Sequence, residues 1–327
     1  MRPDTPAIDR RDELVKYVES YADRLDGRLG VFLGFPRGPD EFDVVAERNA
    51  ETAFAAASTI KLPILYALYD EYDGRLGDLE ESREIAAENR VAGSGLYHLL
   101  DSTAPSVEDL ARAMIAVSDN AATNELVDLL GMDRIEETAA DLGMERTRLR
   151  RKMMSTVGDN DLELTGDWPA GEPANATAPA DCARLFADLI YRTTLSDAAY
   201  DRLSVPLREQ KHAMLFPRYL PMDVERAHKT GQLPSAALDT GYVEPPAGIR
   251  RGGFGRPPLR LSLQPRPCHR PRPRRPAPRL RGVRRRTRRR HRRGRRHRRN
   301  RGRGVFVAVA SVGVSRGAPR ARIASPN

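Results

Sequence analysis

Ala53-Phe54-Ala55-Ala56-Ala57-Ser58-Thr59-Ile60-Lys61-Leu62-Pro63-Ile64-Leu65-Tyr66-Ala67-Leu68-Tyr69 carries a single charge, on Lys61, and reads with its continuation to Tyr72 as one Ala-rich apolar helix. A helix that is apolar on every side belongs in an interior. Its beginning holds two chemically useful residues, Ser58 and Lys61, three positions apart. That spacing puts both side chains on one helix face, a turn apart. A serine hydroxyl is a poor nucleophile until a neighbour takes its proton. A lysine held among apolar groups has a lowered pKa and can take it. The helix N-terminus adds a field that favours developing negative charge. Ser-x-x-Lys occurs in many helices, so this pair alone decides nothing.

The segments around it alternate in type. Leu14, Val18, Tyr21 and Leu25 fall at helical spacing. Gly30 to Phe35 reads as a strand, Pro36 to Pro39 as a turn, and Asp43 to Ala46 as a second strand. After the buried helix, Val107, Leu110, Met114 and Val117 share one face of a helix that starts near Pro105. Asn120–Leu130 and Ile135–Leu142 follow as helices, closed by Gly131 and Gly143. Asp159 to Pro179 is dense in Gly, Pro, Asp and Asn and reads as a long surface loop, and Pro179–Tyr191 is helical again. Short strand-like pieces stand at Gln232-Leu233 and Gly241–Val243. Strands early, helices in the middle and strands late predict an α/β sandwich: an antiparallel sheet flanked by helices, plus a mainly helical subdomain, with the active site between them.

Two more short motifs lie downstream. Ser118-Asp119-Asn120 sits between two helices, where Ser and Asp are ordinary helix caps. Lys229-Thr230-Gly231 precedes a strand-like piece, where an exposed Lys before a turn is the plain reading. Taken together, in this order and at these separations, the three motifs resemble the active site of the serine β-lactamase and penicillin-binding protein superfamily. Val91-Ala92-Gly93-Ser94-Gly95-Leu96, Thr147-Arg148-Leu149-Arg150-Arg151 and Asn175-Ala176-Thr177-Ala178-Pro179 add to the likeness with class A β-lactamases, which covers roughly Gly30 to Val243.

The resemblance implies Ser58 as nucleophile, Lys61 as its base and Ser118 as proton donor to the leaving nitrogen. It implies Asn120 holding Lys61 and the substrate amide, and Lys229 and Thr230 receiving a substrate carboxylate. Gly231 would let substrate lie close to the backbone. The N–H groups of Ser58 and Gln232 would form an oxyanion hole. One departure stands out. Where class A enzymes carry a Glu shortly after the Thr-Arg-Leu stretch to activate the deacylating water, this chain has Met153. Asp159, Asp161, Glu163 and Glu172 lie further along, and nothing in the sequence selects one.

Composition splits the chain in two. Residues 1–240 hold 27 Lys and Arg against 44 Asp and Glu, net −17, with Lys only at 16, 61, 152, 211 and 229. Residues 241–327 hold 28 Arg against Glu244 alone, net +27. An acidic, Lys-poor body suits concentrated salt, where self-repulsion is screened, and we read it as halophilic. Residues 1–248 are therefore drawn as the hydrolase domain, and 249–327 as an Arg/Pro/Gly-rich tail expected to be disordered.

Arg, Pro, Gly and Ala share GC-rich codons, so the tail also reads as an out-of-frame stretch, and Val305–Ala310 could form one strand. Its guanidinium groups would attract phosphate. The scarcity of aromatics makes nucleic acid the disfavoured partner. Cys182 and Cys268 give no disulfide framework and no metal signature, and Cys182 reads as core. No cofactor is implied. No signal peptide or membrane span is legible, so the expectation is cytoplasmic. The expected function is a serine acyl hydrolase acting on a β-lactam or another carboxylate-bearing amide or ester. The alternatives are a penicillin-binding-like acceptor with poor turnover and a nucleic-acid binder acting through the tail.

Overall fold

The computed structural model describes residues 11–101, 104–154, 175–213, 215–221, 223–234 and 236–244, and the backbone of 306–313. The elements in order are α1 (Arg11–Ala22), β1 (Arg28–Pro36), β2 (Phe42–Arg48), β3 (Phe54–Ala55), α2 (Lys61–Glu71), α3 (Val107–Ala116), α4 (Asn120–Leu130), α5 (Met132–Asp141), β4 (Arg148–Leu149), β5 (Asn175–Thr177), α6 (Pro179–Tyr191), α7 (Asp197–Arg208), β6 (Glu225–Leu233), β7 (Ala236–Glu244) and β8 (Phe306–Gly313). Short 3₁₀ turns connect several of them.

A five-stranded antiparallel sheet runs β2-β1-β8-β7-β6, and a small sheet β3-β5-β4 ties the helical part to it. Strand β1 shows why the sheet is covered on both sides. Its odd positions, Leu29, Val31 and Leu33, join Val18 and Leu14 of α1 and Ala46 of β2 in one apolar cluster. Phe32 faces the other way into the main core. Gly30 lies against the Phe54 ring and Pro179 at the start of α6, too close for a side chain. The expected sandwich of helices on an antiparallel sheet is therefore what the chain forms.

The predicted helix over Ala53–Tyr72 is shorter than its apolar run. Phe54 and Ala55 pair with Thr177 and Ala176 as a strand. Ala57 takes φ +46, Ala57–Ile60 makes a 3₁₀ turn, and α2 begins only at Lys61. Every residue of Lys61–Tyr69 is buried, as the unbroken apolar pattern requires. Tyr66 extends across the core to donate to the Leu185 carbonyl at 3.1 Å. Gly131 and Gly143 end α4 and α5 with φ of 81 and 71. Cys182 is core, and burial pushes its thiol up to about 12.

Helix α7 was not read from the sequence. Its signal is present: Ser196 accepts from the Ala199 N–H as N-cap, and Tyr200, Leu203 and Leu207 form one buried face. Pro206 inside the run hides that pattern. Strands β6 and β7 are also longer than the two short pieces expected. The buried His228, Lys229, Asp239 and Thr240 interrupt the apolar alternation that would have marked them.

Within the segment drawn as tail, the strand expected at Val305–Ala310 is present. Phe306–Gly313 is a full sheet strand, paired with β1 from Arg28↔Gly313 to Gly34↔Val307 and with β7 from Ala236↔Gly313 to Val243↔Phe306. Strand β7 is thus paired on both sides, by β6 and β8. The cause is the Phe-Val-Ala-Val-Ala-Ser-Val run, whose small and β-branched residues suit a sheet interior. Among the described residues, Phe306–Gly313 therefore belongs to the same sheet as β1 and β7. The remainder of the tail lies outside the described residues.

Adjacent antiparallel strands need only a short turn. Val243 pairs with Phe306, so the chain leaves and re-enters the sheet at one point. Replacing residues 246–303 by a short Asn-Gly turn should therefore preserve folding. By loop-closure entropy it should add about 2 kcal/mol to the unfolding free energy. Loss of the cooperative melt in the shortened chain would refute this.

Candidate active site

The site forms where α2, the α3–α4 junction and β6 meet. Ser58 stands half-buried on the 3₁₀ turn that leads into α2. The turn is held by Ala56, whose N–H donates to the Asn175 carbonyl at 2.8 Å and whose carbonyl accepts from the Thr59 N–H at 3.0 Å. Lys61, the first residue of α2, is fully buried. Its ammonium donates to the Ser118 carbonyl (2.7 Å), Ser118 Oγ (3.1 Å) and Asn120 Oδ1 (2.8 Å). Three donors meet three acceptors. Ser58 Oγ, which helical spacing placed beside this ammonium, is not one of them.

Ser118 carries φ +58, an uncommon left-handed backbone for a residue with a side chain. Asp119 supplies the support around it. Oδ1 accepts from the Ala122 N–H at 2.9 Å and caps α4. Oδ2 accepts from the N–H groups of Leu96 (2.5 Å) and Tyr97 (2.9 Å). The helix-cap reading of Ser118-Asp119-Asn120 is therefore correct for Asp119, and the same residue pins the Val91–Leu96 stretch over the site.

That stretch is further fixed by Asn120, whose N–H donates to the Ser94 carbonyl at 3.0 Å and whose amide donates to the Ala92 carbonyl at 3.1 Å. Gly95 has φ +101, and a Cβ there would stand 2.2 Å from Asp119 Oδ2. Only glycine satisfies both demands.

From the other side comes β6. Lys229 lies in the middle of the strand, fully buried, and not exposed ahead of a turn. Its ammonium donates to Ser118 Oγ at 3.0 Å and to the Thr230 carbonyl at 2.7 Å. Thr230 is buried beside it. A Cβ on Gly231 would come 3.1 Å from the Ala56 carbonyl and 3.2 Å from the Ser58 N–H. Gly231 thus lets β6 approach the serine turn itself. Gln232 is exposed directly after it.

Two lysines on one hydroxyl cannot both keep ordinary proton affinity. Burial, then the neighbouring charge of Lys229, hold Lys61 well below the usual lysine range, while Asp119 opposes the shift. Burial lowers Lys229 to about 7, with the Asp239 carboxylate pulling it back up. The site can therefore hold one neutral and one charged amine near neutral pH.

Met153 occupies the position after Thr147-Arg148-Leu149 where a Glu was sought. Its backbone is clasped by Asn124: the Met153 N–H donates to Asn124 Oδ1 at 2.7 Å, and the Asn124 amide donates back to the Met153 carbonyl at 3.1 Å. Its side chain packs on the main core. Asp159, Asp161, Glu163 and Glu172 lie outside the described residues.

The structure thus joins Lys61, Ser118, Asn120, Lys229 and Thr230 through hydrogen bonds and sets Gly231 against the Ser58 turn, with Gln232 exposed beside it. The sequence reading missed Asp119 as an anchor, Asn124 as the Met153 clasp, and the buried pair His228–Asp239 on β6 and β7. The only signals were an Asp inside a motif, an Asn one helical turn past Asn120, and a His directly before Lys229.

The chain belongs to the beta-lactamase enzyme family, whose Beta-lactamase2 model matches residues 13–250. A beta-lactamase of Proteus vulgaris is 29% identical over 188 residues, 57% of this chain and 62% of that protein, so the chain spans about three fifths of this relative's length. The beta-lactamase of Sphaerobacter thermophilus DSM 20745 shares the fold with a TM-score of 0.64 at 24% identity, over 91% of this chain and 88% of that one. PBP-A does so with a TM-score of 0.64 at 20% identity, over 94% and 89%. No helix among the described residues is long and apolar enough to cross a membrane.

Proposed function

We propose that this chain is a serine acyl hydrolase that forms an acyl-enzyme at Ser58 with a β-lactam or a related carboxylate-bearing amide or ester. The observation that carries this reading is the convergence of two fully buried lysines, Lys61 and Lys229, on Ser118 Oγ beside the turn that holds Ser58. Family membership supports a β-lactam as substrate.

In this reading Lys61 is the base, neutral because burial and Lys229 disfavour its charge. Ser58 Oγ gives its proton to Lys61 Nζ as it bonds to the substrate carbonyl carbon. The developing oxyanion accepts from the N–H groups of Ser58 and Gln232. When the tetrahedral adduct collapses, the C–N bond breaks and the leaving nitrogen takes the Ser118 hydroxyl proton. Lys61 or Lys229 replaces that proton across the hydrogen bonds both make to Ser118 Oγ. Asn120 holds Lys61 and the substrate amide, and Lys229 and Thr230 receive the carboxylate. Water then attacks the ester, and Ser58 recovers its proton.

One observation favours a second reading, an acceptor that keeps its acyl group. Met153 carries no basic group to take a proton from a water, and its side chain packs against the core. Nitrocefin separates the two. Steady turnover supports hydrolysis, whereas a stoichiometric burst followed by slow release supports the acceptor. The absence of both would overturn acylation itself. Met153→Glu should raise the steady-state rate by on the order of 10² or more, the usual effect of adding a general base. An unchanged rate in a folded variant would place the deacylating base elsewhere.

A further inference from the structure

One exposed apolar side chain stands against the site with no part in the proposed reaction. Met154 follows the clasped Met153 and is 58% exposed. No other methionine among the described residues is so open: Met114 and Met144 are buried, and Met132 and Met153 pack against the core. The Met154 thioether lies over Gly93. A Cβ at Gly93 would stand 3.5 Å from Met154 Sδ and 2.9 Å from Asn120 Nδ2. The thioether and the Asn120 amide therefore sit side by side on one glycine, which takes φ +108 and has no side chain to part them. Asn120 Oδ1 accepts from Lys61, and the Ala92 carbonyl takes one of the two Nδ2 protons. The second proton is the one that a substrate amide carbonyl would accept. A group attached to that carbonyl then has Met154 as its neighbour.

We infer that Met154 is a specificity-determining residue: its thioether, beside the Asn120 amide over Gly93, receives the acyl substituent of the substrate and favours an aromatic one over a small one. The inference rests on the acylation reading above for its effect on rate, and on the Met154–Gly93–Asn120 contact for its effect on binding. The segment that carries Met154 is fixed in advance. Asn124 clasps the Met153 backbone from both sides. Lys152 Nζ donates to Asn89 Oδ1 at 3.1 Å and to Asp128 Oδ2 at 2.6 Å. Met154 itself takes φ +54, an uncommon backbone for a residue with a side chain. Such a backbone persists only where its surroundings over-determine it, and it recurs at ligand clamps. An exposed thioether held in this way is a preformed apolar contact, and sulfur meets an aromatic ring favourably.

The test uses the full chain and two penicillins that differ only in the acyl substituent. Benzylpenicillin carries phenylacetyl, and 6-acetamidopenicillanic acid carries acetyl. Both keep the amide and the carboxylate. The second-order rate of Ser58 labelling should favour benzylpenicillin by about tenfold in the parent, the scale of one good apolar contact. Met154→Ala should erase most of that preference by slowing benzylpenicillin far more than the acetyl compound. Met154→Leu, which keeps an apolar side chain, should retain it. Equal rates for the two compounds in the parent, or equal losses on both in the alanine variant, would overturn the inference. Should neither penicillin label the parent, the acylation reading falls, and a measurement that needs no acylation decides for Met154. Protein labelled with ¹³Cε-methionine is titrated with N-phenylacetylglycine and with N-acetylglycine, and the Met154 methyl signal is identified by its loss in Met154→Leu. A shift of that signal with the phenylacetyl compound, and much less with the acetyl one, sustains the subsite. An unmoved signal overturns it.

Discussion

Ser58→Ala should abolish covalent capture of a fluorescent penicillin, with the labelling rate falling on the order of 10⁴ or more, as for loss of a nucleophile that acts with its base as a unit. Ser58 is the hydroxyl carried on the half-buried turn ahead of α2, which Gly231 of β6 approaches closely. Ser118 is the other hydroxyl at hand, but both of its lysine contacts and its left-handed backbone hold it inward. The variant should keep its fold, because no buried hydrogen bond of the turn uses the Ser58 side chain; Thr59 supplies the side-chain bond there, to Ala56. Intact-mass spectrometry reads the result directly. Labelling of the alanine variant at the parent rate would reassign the nucleophile.

Lys61→Met has the next largest effect. Acylation should slow by ~10²–10⁴, the scale for losing a general base. Stability should move the other way. Lys61 is fully buried, and its folded-state pKa lies well below the 10.5 of the unfolded chain. Between those two values the unfolded chain binds more protons than the folded one, so parent stability climbs as pH rises through that window. A methionine of similar length removes the burial cost of the amine. It should stabilise the chain at neutral pH by about 1–3 kcal/mol and flatten the climb. Thermal melts of both proteins across the alkaline range test the sign. A destabilised variant with an unchanged pH slope would mean that Lys61 is held charged as a structural ion, and would remove it as the base.

Much of this architecture was legible beforehand, for a physical reason. Burial writes itself into sequence where it is continuous, as in Ile60–Tyr69, and where it is periodic, as in Val107–Val117 and Pro179–Tyr191. It does not where polar groups are buried for chemistry. His228, Lys229, Asp239 and Thr240 are all interior, and they masked β6 and β7 because a pattern reader assigns charge to the surface. Asp119 was hidden differently: one side chain caps a helix and anchors a loop at once, and only the cap is a local signal. Strand β8 was legible as a possible strand at Val305–Ala310, but its partners were not, because the Arg-rich segment separates it in sequence from the strands it pairs with.

The linear chain already carries the identities and order of the candidate site residues: a serine three residues before a lysine, Ser-Asp-Asn, Lys-Thr-Gly, and a methionine where a carboxylate was sought. Tertiary structure decided what those groups can do. Lys61 and Ser118 are 57 positions apart, and Ser118 and Lys229 are 111 apart, yet both ammonium groups reach one hydroxyl oxygen. Proton affinity depends on desolvation and on charges a few ångströms away, and both are set by packing across the whole chain. The fold alone buried two lysines of ordinary composition against one hydroxyl oxygen, and it alone placed Phe306–Gly313 between strands that precede it by more than sixty residues.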